Sequence, residues 1–67
     1  MEEIVRNTVY EHRIKKDATQ EELAHAIGVS RQTIIAIEKG NYTPSVLLAL
    51  KIAQYFKTSV ERLFIVQ

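Results

Sequence analysis

An all-α fold, a compact orthogonal bundle of five short helices, is what this sequence predicts. Three observations carry that expectation. Helix-starting signals recur at short intervals, at Thr19, Ser30, Thr43-Pro44 and Ser59. The chain's 2 glycines, Gly28 and Gly40, fall where the helices opened by the first two signals would end. Between the signals, apolar residues recur at helical spacing and do not alternate as in a strand. Helices this short pack best by crossing, which favours an orthogonal bundle over a parallel one. There is no repeat, low-complexity segment or linker, so a single domain is expected over residues 1–67.

The spacing predicts a first helix from about Ile4 to Lys16, with Ile4 or Val5, Val9 and Arg13 on related faces. Its end is weakly marked, because Asp17 stands where a glycine would be a clearer stop. Thr19 and Glu22 then have the spacing of a capping box, in which the threonine oxygen accepts an orphan N–H and the glutamate reaches back to the cap residue's own N–H. In the second helix, Glu21 and Glu22 complement the positive end of the dipole, Leu23, Ala24 and Ile27 form the inner face, and Gly28 ends the run. Ser30 caps a third helix, about Arg31 to Lys39, with Ile34 and Ile37 facing inward and Gly40 as the stop. Thr43-Pro44 reads as a cap followed by proline at the first helical position. The helix it opens, "SVLLALKIAQYF", is apolar enough to be central and buried. Ser59 caps a short fifth helix containing Val60, Leu63 and Phe64, and "IVQ" closes the chain.

Composition excludes several classes of function. With 67 residues, of which 46% are hydrophobic, the chain builds one modest core, a size at which a partner subunit is a common aid to stability. The absence of cysteine rules out a disulfide framework and a zinc-thiolate site. His12 and His25 are too few and too far apart for a metal site, and read as structural or solvent-facing. No apolar run approaches the roughly 20 residues of a membrane span. The opening "MEEIVRNTVYEHR" is acidic where a signal peptide would be basic and then apolar, so a cytoplasmic protein with no membrane partner is expected. Nothing resembles a catalytic triad or a glycine-rich phosphate loop, so neither an enzyme, a cofactor nor a small-molecule ligand is expected. Net charge is only +1, yet between Leu23 and Val60 four bases (Arg31, Lys39, Lys51, Lys57) face the single acid Glu38. That leaves a locally positive field around the third helix.

The second and third helices, joined through Gly28, have the layout of a helix-turn-helix, in which the second helix of the pair enters the DNA major groove. Ala24 must be small where the third helix crosses it, Gly28 supplies a left-handed turn, and Ile27, Val29, Ile34 and Ile37 fill the angle between the helices. These features occupy about residues 20–39. Through "TQEELAHAIGVSRQTIIAIEKG", the "TPS" entry to the fourth helix, and "LALKIAQYF" before "SVERLF", the chain resembles the lambda-repressor-like, Cro-type helix-turn-helix domains of the XRE family.

That resemblance implies duplex DNA as partner, a homodimer as the binding unit, and transcriptional regulation, most often repression. It implies base-edge contacts from Arg31, Gln32 and, one turn on, Ala36, where the family often has a polar reader. Arg31 suits the O6 and N7 of guanine, Gln32 suits adenine, and Ala36 suits a thymine methyl or simple clearance. Taken without the motif, Arg31 and Gln32 read as solvated helix surface. The resemblance further implies phosphate contacts from Gln20, Thr33, Lys39, Asn41 and Tyr42, with turn chemistry beside Gly40 as the alternative for Lys39 and Asn41. Arg13 and Glu38 match a pair that in this family joins the first helix to the end of the third.

Ala18, His12 and Lys57 depart from the family's usual leucine, apolar residue and glycine, and Ile35 and Leu47 stand where polar residues are usual. Tyr10, Tyr55, Phe56 and Phe64 read as core or interface residues rather than stacking platforms. Apolar residues at the surface favour pairing, so a symmetric homodimer is expected through the fifth helix and tail, using Phe64, Ile65 and Val66, with Tyr55 beside them. Two other readings stay open: an antitoxin, which binds both DNA and a toxin protein, and a protein-interaction module that kept the fold. With no sensor domain expected, control would come from abundance, oligomerisation or another protein.

Overall fold

The structure, a computed structural model, describes residues 3–67. Its elements are β1 (Val5–Asn7), α1 (Val9–Lys15), α2 (Gln20–Ile27), α3 (Arg31–Glu38), α4 (Val46–Phe56), α5 (Val60–Leu63) and β2 (Phe64–Val66). Five helices are present, but the all-α expectation is corrected by an antiparallel pair of three-residue strands with Val5 opposite Val66, Arg6 opposite Ile65 and Asn7 opposite Phe64. Reciprocal backbone bonds between Ile4 and Gln67, 3.1 and 2.8 Å, extend the ladder and join the two ends of the chain.

The first helix is accordingly shorter than expected. Asn7 fixes its start: Oδ1 accepts from the N–H of Val9 at 3.1 Å, while Nδ2 donates to the carbonyl of Ile37 at 2.8 Å. One amide side chain thus caps the start of α1 and binds the end of α3. Thr8 donates its hydroxyl to the carbonyl of Arg62 at 2.9 Å, tying the same bend to α5.

The Thr19–Glu22 capping box forms in both directions, and Ser30 accepts from the N–H of Thr33. At α4 the cap is Ser45, whose Oγ accepts from the N–H of Leu48 at 3.2 Å, and not Thr43; Pro44 precedes the cap. Ser59 occupies the cap position of α5 without a side-chain bond, and Phe64 leaves the helix for β2. Helices α1 and α4 end without glycine, through left-handed backbone at Asp17 (φ 60°) and Lys57 (φ 54°). Asp tolerates that conformation comparatively well, whereas lysine holds it against the steric cost of its Cβ.

Val9, Leu23, Ile34, Ile37, Ile52 and Leu63 are fully buried and draw α1 to α5 around one core. Helix α4 is central, as its apolar sequence predicts, and one side of it faces solvent. It buries Leu48, Ala49, Ile52 and Ala53 but leaves Val46, Leu47 and Leu50 in solvent. No helix among the described residues is long and apolar enough to cross a membrane.

Candidate nucleic-acid interface

Helices α2 and α3 meet through a tight turn in which Gly28 adopts φ 77°, ψ 35°, a conformation that penalises any side chain with a Cβ. Val29 follows and packs against the core. With Ile34 and Ile37 facing the core, Arg31 and Gln32 open α3 in solvent, and Ile35 and Ala36 lie half-buried one turn later. Thr33 is also half-buried, its hydroxyl 3.1 Å from Ser30 Oγ.

What holds α3 is a polar network beneath it. Arg13 is the charged residue that the core buries among those described. Its Nε donates to Glu38 Oε2 at 2.6 Å, Nη2 to Glu38 Oε1 at 3.2 Å, and Nη1 to the carbonyl of Ala18 at 2.9 Å. The hydrogen bond to Glu38 raises the proton affinity of the guanidinium against the opposing effect of burial. Gln20, the first residue of α2, donates its amide to Glu38 Oε1 at 3.1 Å. Side chains from α1 and α2 therefore converge on one carboxylate of α3, and no buried side-chain nitrogen or oxygen among the described residues lacks a partner. Such satisfaction is what makes a buried charge tolerable.

Of the residues expected to meet phosphate, Lys39, Asn41 and Tyr42 lie exposed on the segment after α3, and Gln20 is half-buried with its amide turned to Glu38. The sequence reading missed two participants. Asn7 anchors the end of α3, a contact no local signal announces. Glu21 brings its Oε1 to 4.0 Å from Arg31 Nε, whereas the sequence reading gave it only a dipole role.

Phe64 packs against the core, and Ile65 and Val66 are 41% and 64% exposed. Val5, Val46, Leu50, Phe64 and Val66 line an apolar groove of about 700 Å³ between α4 and the sheet. Tyr55 lies outside that groove, edge-on to Phe56 and beneath Lys16, whose Nζ is 4.6 Å from the ring centre. His12 is held at Thr8, its Nδ1 2.9 Å from the carbonyl oxygen, and no group of three metal-ligating side chains occurs among the described residues.

A tight left-handed turn between two short helices, with the second presenting long polar side chains over a locked underside, defines a helix-turn-helix protein. A helix-turn-helix family model matches residues 9–63, and the chain belongs to that family, the XRE-type DNA-binding proteins. It is 52% identical over 61 residues, 91% of this chain and 92% of the relative, to MJ0272 of Methanocaldococcus jannaschii, named an uncharacterized HTH-type transcriptional regulator. It is 35% identical over 51 residues to RstR, a cryptic phage transcriptional repressor of Vibrio cholerae, covering 76% of this chain and 46% of that one. Among solved structures, the restriction-modification controller protein C.AhdI of Aeromonas hydrophila superposes with a TM-score of 0.75 at 28% identity, covering 81% of this chain and 82% of the other.

Proposed function

We propose that this transcriptional regulator is a repressor that reads a pseudo-palindromic operator as a homodimer, with α3 in the major groove. The observation that carries the reading is the contrast across α3: Arg31 and Gln32 stand exposed to solvent while Glu38, at the other end, is fixed by Arg13 and Gln20. A helix held so firmly presents its readers at low entropic cost. Arg31 takes guanine O6 and N7, Gln32 takes adenine, and Ala36 meets a thymine methyl. Thr33, Lys39, Asn41 and Tyr42 set the register on phosphates. Gln20 contributes its backbone N–H at the positive end of α2, since its amide is already engaged. RstR is named a transcriptional repressor, which supports repression over activation. The relatives above are proteins of an archaeon and a bacterium, cells whose DNA lies in the cytoplasm, and the regulator works there.

The dimer forms across the groove between α4 and the sheet. Val46, 77% exposed, lines the groove and makes a ridge at its edge. A two-fold axis places ridge on groove twice, the self-complementarity that an isologous interface requires. Thr43 and Pro44 line the groove directly after Asn41 and Tyr42, so the axis falls beside the phosphate-contacting segment. Successive half-sites then lie about 34 Å apart.

Selection of duplexes from a randomised pool tests this. Wild type is expected to enrich a pseudo-palindrome, and Arg31→Ala to relax it at one base pair per half-site, losing about 1–3 kcal/mol of discrimination there. Failure to enrich any sequence, at salt low enough for phosphate binding to register, would remove the operator-reading function.

A further inference from the structure

Glu21 is out of place on a surface that meets a polyanion. It lies in the first turn of α2, its side chain 77% exposed, on the side from which Arg31 projects. Its dipole benefit is available from Glu22, which the capping box already uses. An additional carboxylate there repels every phosphate equally and so weakens binding to all sequences. Its compensating contact is Arg31: Glu21 Oε1 lies 4.0 Å from Nε, the inner nitrogen of the guanidinium. The outer pair, Nη1 and Nη2, is left free, and that pair matches the two acceptors of guanine.

We propose that Glu21 is a positioning residue that braces Arg31 through Nε and thereby sharpens its choice of guanine. The inference rests on the reading that Arg31 meets a base edge. In water the exposed pair contributes little, since solvent screens it and both side chains must be ordered. Inside the groove, water is displaced and the effective dielectric falls, so the attraction strengthens when the complex forms. A braced arginine cannot swing to a neighbouring phosphate or to the next base, and at adenine one of its outer N–H groups meets N7 while the other confronts the N6 donor in place of guanine's O6 acceptor. Glu21 thus exchanges overall affinity for discrimination at one base pair.

The test uses the full chain and its selected operator, with wild type, Glu21→Gln, Arg31→Ala and the double variant measured on that operator and on its single-base variants at one salt concentration. Glu21→Gln is expected to tighten binding to random duplex and to cut the preference for guanine at Arg31's base pair roughly tenfold, within the range one two-pronged contact commands. Other positions should be unaffected, and in the Arg31→Ala background Glu21→Gln should leave every preference unchanged. Glu21→Gln that tightens all sequences alike while the guanine preference survives, with Arg31→Ala still relaxing that base pair, would overturn the brace alone. A wild type that enriches no sequence would overturn both the brace and the base-reading role beneath it.

Discussion

The face made by α2 and α3 and the face made by α4 and the sheet are built from opposite materials. On the first, polar side chains stand in solvent over a buried carboxylate that three donors hold in place. On the second, Val46, Leu50 and Val66 stand in solvent around an apolar groove, and nothing polar locks them. A surface that meets a charged, hydrated polymer gains from donors fixed in advance, because each must lie within hydrogen-bonding distance of its acceptor. A surface that meets a second apolar surface needs area and shape, since burial is favourable without direction.

The contrast can be broken most severely at Glu38. Glu38→Ala strands a buried guanidinium and is expected to cost about 3–5 kcal/mol of folding free energy. Urea unfolding measures it, and a loss below about 1 kcal/mol would reduce the network to the standing of a surface ion pair. Leu50→Glu attacks the opposite face. At 50% exposure in the free chain the substitution leaves the core intact, while a charge within the paired groove is expected to weaken dimerisation by about 2 kcal/mol, the scale of an interface hot spot. Sedimentation equilibrium measures this, and an unchanged association constant would exclude the groove as the interface. The smallest effect is expected at Tyr55. Tyr55→Ala should lower the melting temperature by a few degrees, since the ring packs against Phe56 and the core, and should leave dimerisation unchanged. Loss of the dimer in that variant would extend the interface to the side of α4 that faces Lys16.

Legibility in the sequence follows the range of the interactions. From Thr19 to Gly40 each boundary is set within four residues: the capping box, the left-handed glycine and the serine cap act on their own neighbours, and α2 and α3 begin and end where those signals stand. The first helix departs from its local signals for the converse reason. Ile4, Val5 and Val9 keep helical spacing, but Val5–Asn7 pairs with Phe64–Val66 at the far end of the chain, and three residues are too few to display a strand's alternation. At α4 two capping candidates, Thr43 and Ser45, flank Pro44, and local rules alone chose the wrong one. Ser59 shows the limit again, as a residue in the cap position that makes no capping bond.

The sequence by itself determined the helix-turn-helix, its buried apolar positions and the residues that open α3, because caps, glycines and apolar spacing act over one or two turns. Only the tertiary structure decided that the termini form a sheet, that Asn7 anchors the end of α3, that Gln20 turns its amide to Glu38, and that Glu21 stands beside Arg31. Each of those contacts joins side chains or strands from separate elements. Its geometry is set by how the core brings those elements together, and spacing along the chain does not encode it.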